Sequence, residues 1–105
     1  MKNNCRIRYG EEGLVILGGE LTFDSTPEVY RELENLFRSD GNSISIDLGE
    51  VDRTDSSGLA LLLEWQAMAN RKSRQLQILN APDSLLQLAK LCEADKLLRL
   101  STRPE

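Results

Sequence analysis

Asp55-Ser56-Ser57-Gly58, preceded by Asp52 and Thr54 and followed at once by a leucine run, is the stretch of this sequence best equipped for chemistry. Hydroxyls beside carboxylates at a turn fit nucleophilic hydrolysis, phosphate handling, or acceptance of a phosphoryl group. A nucleophile elbow needs G-x-S-x-G, and the position two before Ser56 is Thr54. The chain contains no histidine, which removes Ser-His-Asp and Cys-His activation together with histidine metal sites. A phosphate-binding loop needs several glycines and a Gly-Lys-Ser/Thr ending, and only Gly58 is near. Nothing pairs Asp52 with Asp55 as acid and base. Acids at a helix start are instead stabilised by the macrodipole, by about 0.3–1 kcal/mol.

The turn therefore reads first as an N-cap at Asp55 or Ser56, a device that contributes about 1 kcal/mol. The same place suits a switch. A hydroxyl at a helix amino terminus lies where free N–H groups and the dipole accept an added phosphate, which would bring about −1.5 to −2 charge.

The helix that follows carries two apolar stripes, one with Leu59, Leu62, Leu63 and Ala69 and one with Leu61, Trp65 and Met68. One stripe suffices to cover a sheet. The second packs on a neighbouring helix or meets a partner, and Trp and Met are both favoured in interface cores. Arg71 to Arg74 form a basic run that the carboxyl end of the same helix accounts for. Gly18-Gly19 marks a bulge, a tight bend or a close backbone approach rather than a phosphate loop. A small-molecule or nucleotide sensor using Gly18-Gly19 and Ser56 is a third, weaker class of function.

Punctuation and periodicity then place the elements. "CRIRY" alternates Cys5, Ile7 and Tyr9 with two arginines, "YGEEG" is a turn, and "LVILGGEL" is a second strand, so the chain opens on an antiparallel hairpin. Ser25 or Thr26 caps a first helix, with Pro27 at its first position and Glu28 completing a capping box. Val29, Leu33, Leu36 and Phe37 form its core stripe. "SISIDL" is a third strand, "GEVDRTDSSG" the turn after it, and the second helix runs from about Ser57 to Lys72. "QLQIL" is a fourth strand. A third helix, Asp83 to about Cys92, is capped by Asp83 or Ser84 and buries Leu85, Leu86, Leu88, Ala89 and Leu91. "KLLRL" reads as either a short strand or a helix turn. Alternating strands and helices favour a parallel sheet beyond the hairpin. Polar faces on two strands put the helices on one side only.

The whole chain sets the bounds. Its 105 residues suit one domain, which buries roughly 60–70% of its unfolded surface. A net charge of −4 argues against nucleic acid as a partner. Cys5 and Cys92, far apart and without metal-ligand spacing, are expected to be reduced in a cytosolic protein. "MKNNCRIRYGEEG" has no apolar signal core, and "LALLL" is far too short to span a membrane, so any membrane association is expected through a partner. No metal and no cofactor is expected.

"IDLGEVDRTDSSGLALLL" resembles the signature of the STAS domain, the fold shared by sulfate-transporter tails and anti-sigma-factor antagonists. "LGGELTFDST" resembles that family's segment from strand two into helix one, and the order of elements agrees from about Ile7 to Leu98. "GELTF", "SSGLALLL" and "NAPDSLLQLAKL" are similar to the MlaB-like branch, small cytoplasmic subunits of the bacterial ABC transporter that maintains outer-membrane lipid asymmetry. The resemblance implies an α/β STAS fold spanning 1–105, with a mixed four- to five-stranded sheet and helices on one face. It implies a non-enzymatic adaptor that binds and supports an MlaF-like ATPase in phospholipid transport, cytoplasmic and peripheral to the inner membrane through that complex. Ser56 is then the contact residue, with Asp55, Ser57 and Gly58 beside it and Asp24 near the same surface. In anti-sigma-factor antagonists the matching serine is phosphorylated by a partner kinase, so the alternative is an antagonist switched at Ser56. Thr54 stands where a small apolar residue is more usual, "CEADKLL" lacks a glycine often seen there, and the tail stops at Glu105 without the longer last helix of many antagonists.

Overall fold

Period-two alternation produces the opening hairpin. β1 (Cys5–Tyr9) pairs antiparallel with β2 (Leu14–Leu21), Ile7 facing Leu17 and Tyr9 facing Val15. The computed structural model describes residues 4–102, so the last three residues of the tail lie outside the described set. The glycine pair in β2 is both a bulge and a close approach. Pairing with the next strand shifts register on either side of it. Gly19 has φ +87°, and a Cβ there would stand 2.1 Å from the Asn4 carbonyl oxygen.

α1 (Thr26–Arg38) keeps the expected stripe, with Val29, Leu33 and Phe37 buried and Leu36 half-buried. Its capping box does not form. Ser25 occupies the N-cap position without capping, because its hydroxyl donates to the Glu20 carbonyl at 2.7 Å and accepts from the Thr22 N–H at 3.0 Å. It closes the loop before the helix instead.

β3 (Ser43–Thr54) is longer than its apolar half, since the expected turn from Gly49 to Thr54 is strand. Up to Asp47 it lies between two neighbours; beyond that it pairs with β2 alone, through bulges. One-sided pairing leaves Glu50, Asp52 and Arg53 in water, and their charge is why the segment looks like a loop.

α2 (Ser56–Arg71), β4 (Gln75–Ala81) and α3 (Asp83–Leu91) follow. Neither Asp83 nor Ser84 caps α3: Pro82 holds the N-cap position, and its carbonyl accepts from the Leu85 and Leu86 N–H groups. Leu85 and Ala89 are its buried residues, whereas Leu91, expected in the core, is 82% exposed. "KLLRL" resolves into the end of a 3₁₀ turn (Ala94–Lys96) and the start of β5 (Leu100–Thr102).

The sheet order is β1-β2-β3-β4-β5, with every pair but the first parallel. Val15, Leu17, Ile44, Ile46, Leu76 and Ile78 are fully buried on the helix side. The other side is polar: Arg8 pairs with Glu50, and Asp47 accepts from the Asn80 amide at 3.0 Å and the Gly49 N–H at 2.8 Å. α2 lies between α1 and α3 and contacts both, which is why it is apolar on two sides. Among the described residues no helix is long and apolar enough to cross a membrane.

Within the basic run, Arg71 ends α2 and pairs with Glu64 of the same helix, whereas Arg74 serves a different one. Arg74 is only 7% exposed, and its Nη1 donates to the Leu36 and Ser39 carbonyls at 2.6 and 2.9 Å, closing the carboxyl end of α1. Charge-assisted bonds of this kind contribute about 1.5–3 kcal/mol. Arg74→Met is therefore expected to lower stability by about 2 kcal/mol, read as a lower urea midpoint at unchanged slope, with Arg74→Lys between the two. An unchanged midpoint would mean that water replaces the guanidinium at no cost. Thiol chemistry should also divide. Cys5 is buried, which raises its thiol pKa, and Cys92 is exposed. Iodoacetamide is expected to label Cys92 well before Cys5, and equal rates by mass spectrometry would contradict the buried placement.

Candidate functional site

The carboxyl ends of β2 and β3 deliver two loops to one place, and Asp55 joins them. It is the N-cap of α2: Oδ1 accepts from the Ser57 N–H at 2.9 Å and the Gly58 N–H at 3.4 Å. Oδ2 turns the other way and accepts from the Phe23 N–H at 3.0 Å, in the loop between β2 and α1. One carboxylate thus starts α2 and holds the neighbouring loop against it. Gly58 makes the approach possible. A Cβ there would lie 2.4 Å from Thr54 Oγ1 and 2.7 Å from the Leu21 carbonyl oxygen. Thr54, half-buried at the end of β3, fits against the bare glycine.

The two serines differ. Ser56 is exposed at the first position of α2, while Ser57 is half-buried and faces a groove between α1 and α2. That groove has a volume of about 630 Å³ and is lined by Phe23, Pro27, Tyr30, Arg31, Ala60 and Leu61, with Thr26 and Ser57. Phe23 is 75% exposed on the lip. Asp24, next to it, is exposed.

Of the residues proposed from sequence, Thr54, Asp55, Ser57 and Gly58 come together in this cluster, and Leu61 reaches the groove at only 7% exposure. Trp65 does not reach it. Its indole is fully buried and stacks on Phe37, with ring centroids 5.0 Å apart and planes 5° from parallel. Of the two alternatives left open for the second stripe, packing on a neighbouring helix holds for Trp65. Asp52 lies exposed on β3, outside the helix start. Phe23, Pro27, Tyr30, Arg31 and Ala60 are the residues that reading by stripe and motif missed. The usable signal was Phe23, a large aromatic set between Thr22 and Asp24 just before a helix cap.

Among the described residues no three acids or cysteines cluster as metal ligands. Both Asp55 oxygens accept from backbone N–H groups, so the carboxylate beside the serines is held in a structural role. Asp55→Ala is expected to cost about 1–2 kcal/mol. It should also speed hydrogen exchange at the Phe23 and Ser57 amides together; acceleration at Ser57 alone would show that the loop is held by something else. Gly58→Ala forces backbone apart and should cost about 1–3 kcal/mol by the same denaturation measurement.

The fold has solved counterparts. An anti-sigma factor antagonist, so described provisionally, from Thermotoga maritima superposes with TM-score 0.75 at 16% identity, covering 91% of this chain and 84% of that one. The anti-sigma factor antagonist SpoIIAA in its unphosphorylated form gives 0.70 at 13% identity, covering 95% of this chain and 89% of that one. A murine solute carrier 26 family anion transporter in its inward-facing state gives 0.66 at 13% identity; the match covers 88% of this chain and 16% of the transporter. These likenesses establish a shared fold. No sequence among curated proteins matches significantly. The family described as "Mlab, STAS domain" matches residues 8–99, nearly the whole chain, and this protein therefore belongs to the MlaB-type STAS domain family.

Proposed function

We propose that the chain is a non-enzymatic adaptor that binds and supports the ATPase of an ABC transporter for phospholipids, sustaining outer-membrane lipid asymmetry. The carrying observation is the apolar groove beside the serine turn, with Phe23 left 75% exposed at its lip. An exposed aromatic next to a concave apolar surface is how an interface core looks before its partner arrives. Membership of the MlaB-type family supports the choice of partner. On this reading the protein is cytoplasmic and reaches the inner membrane only through its complex.

A second reading has a specific observation behind it. Ser56 is exposed at the first turn of α2, open to a kinase, and the fold is shared with SpoIIAA, whose structure is of an unphosphorylated form. On that reading the chain is an anti-sigma-factor antagonist switched at Ser56.

Co-expression with the ABC ATPase encoded nearest its gene, followed by affinity purification from gently solubilised membranes, separates the two. The adaptor reading expects a stoichiometric ATPase band and unmodified Ser56 by intact mass. The antagonist reading expects a kinase and a phosphorylated fraction. In the adaptor case Ser57→Asp should weaken the complex about tenfold or more, because it puts charge into the groove wall, and Ser56→Asp should weaken it less. Recovery of no ATPase would end the adaptor reading.

A further inference from the structure

One side chain gives the groove a sign. Its floor and lips are apolar, formed by Phe23, Pro27, Tyr30 and Leu61, and Arg31 is its sole charged lining residue. α1 carries three acids, and Glu28, one turn before Arg31, forms no ion pair with it. Glu34 is engaged by Arg38 at 2.8 Å, and Glu32 accepts from the Tyr9 hydroxyl at 3.2 Å. No ion pair among the described residues includes Arg31. An unengaged guanidinium beside an apolar trough selects for a planar carboxylate next to a large apolar side chain, since Arg is suited to bidentate contact and its stem tolerates apolar neighbours.

We infer that the groove takes a protein segment in which an aromatic or leucine side chain lies within one helical turn of an Asp or Glu. The apolar side chain fills the trough and the carboxylate meets Arg31. This deepens the adaptor reading and rests on it for the segment's origin; the chemistry of the segment rests on the groove alone. A fatty acid carries the same pair of features. The groove is open to solvent along one side, however, which suits a segment carried on a partner's surface and leaves an acyl chain wet.

The test uses phage-displayed random 12-residue peptides, panned on the immobilised full-length chain. They are counter-selected on Ala60→Arg, which fills the groove from an exposed position. Winning peptides are then measured by fluorescence anisotropy. The expected consensus places Phe, Trp or Leu within four positions of Asp or Glu. Arg31→Glu should raise Kd at least tenfold, Phe23→Ser should also raise it, and a Lys in place of the peptide's acid should recover binding to Arg31→Glu. Arg31 and Phe23 are both exposed, so thermal melts of these variants should match wild type. A basic consensus, no consensus, or a Kd indifferent to Arg31→Glu overturns the inference. So does displacement of the peptide by micromolar oleate, which would assign the groove to lipid. The same variants in the ATPase co-purification keep the two claims apart. Enrichment of acidic-apolar peptides without any ATPase leaves the inference standing and removes the adaptor reading. An ATPase complex insensitive to both Arg31→Glu and Ala60→Arg does the reverse.

Discussion

The site depends on how the Asp55 carboxylate is shared. One oxygen takes the first free N–H groups of α2 and the other takes the Phe23 N–H from a different loop. A cap alone fixes where a helix starts. A carboxylate divided between two segments also fixes where the neighbouring loop lies, and that loop carries the exposed Phe23 and leads into α1. Gly58 sets the depth. With Thr54 Oγ1 and the Leu21 carbonyl oxygen where its Cβ would otherwise be, α2 enters closer to the sheet than a side chain permits. The groove between α1 and α2 follows from these two constraints. Its walls include the loop Asp55 holds and the helix turn Gly58 admits.

The two ends of the α1–α2 pair are secured by different physics. At the carboxyl end of α1, the buried Arg74 guanidinium bonds two carbonyls that otherwise have no helical partner. Midway, Trp65 stacks on Phe37 in full burial. At the amino ends the Asp55 contacts are partly open to water, and Ser56 beside them is exposed. The groove lies beyond the carboxyl ends of two parallel strands, next to Leu21 of β2 and Thr54 of β3.

Much of this was legible in the sequence because it is local. The β1–β2 hairpin, the α1 stripe of Val29, Leu33 and Phe37, and strand β4 all show in periodicity and turn residues, which need no knowledge of distant neighbours. The mixed sheet with helices on one face followed from the order of elements and the polar alternation of β1 and β3. What was missed depends on competition or distance. Ser25 fails to cap because its hydroxyl oxygen already accepts from the Thr22 N–H while its hydrogen goes to the Glu20 carbonyl. The second half of β3 looked like a turn because one-sided pairing leaves it charged. Arg74 looked like a dipole partner of α2 because its true acceptors, in and just after α1, lie more than thirty positions earlier. The groove was invisible for the same reason, being built from Phe23, from Pro27 to Arg31 of α1, and from Ser57 to Leu61 of α2.

These distinctions bear on how charge at the turn acts. A charge added at exposed Ser56 meets water and the amino end of α2, where the dipole favours an anion. The fold tolerates it. The same charge at Ser57 enters the groove wall, where covering an unpaired anion would cost several kcal/mol. Two adjacent hydroxyls of the same chemical type therefore stand in different surroundings: Ser56 in water at the helix start, and Ser57 in the wall of an apolar groove. Asp55 keeps neither serine hydroxyl as its partner, since its two oxygens accept from the backbone N–H groups of Phe23, Ser57 and Gly58. The two serines of the turn thus differ in how far an added charge would disturb the groove beside them.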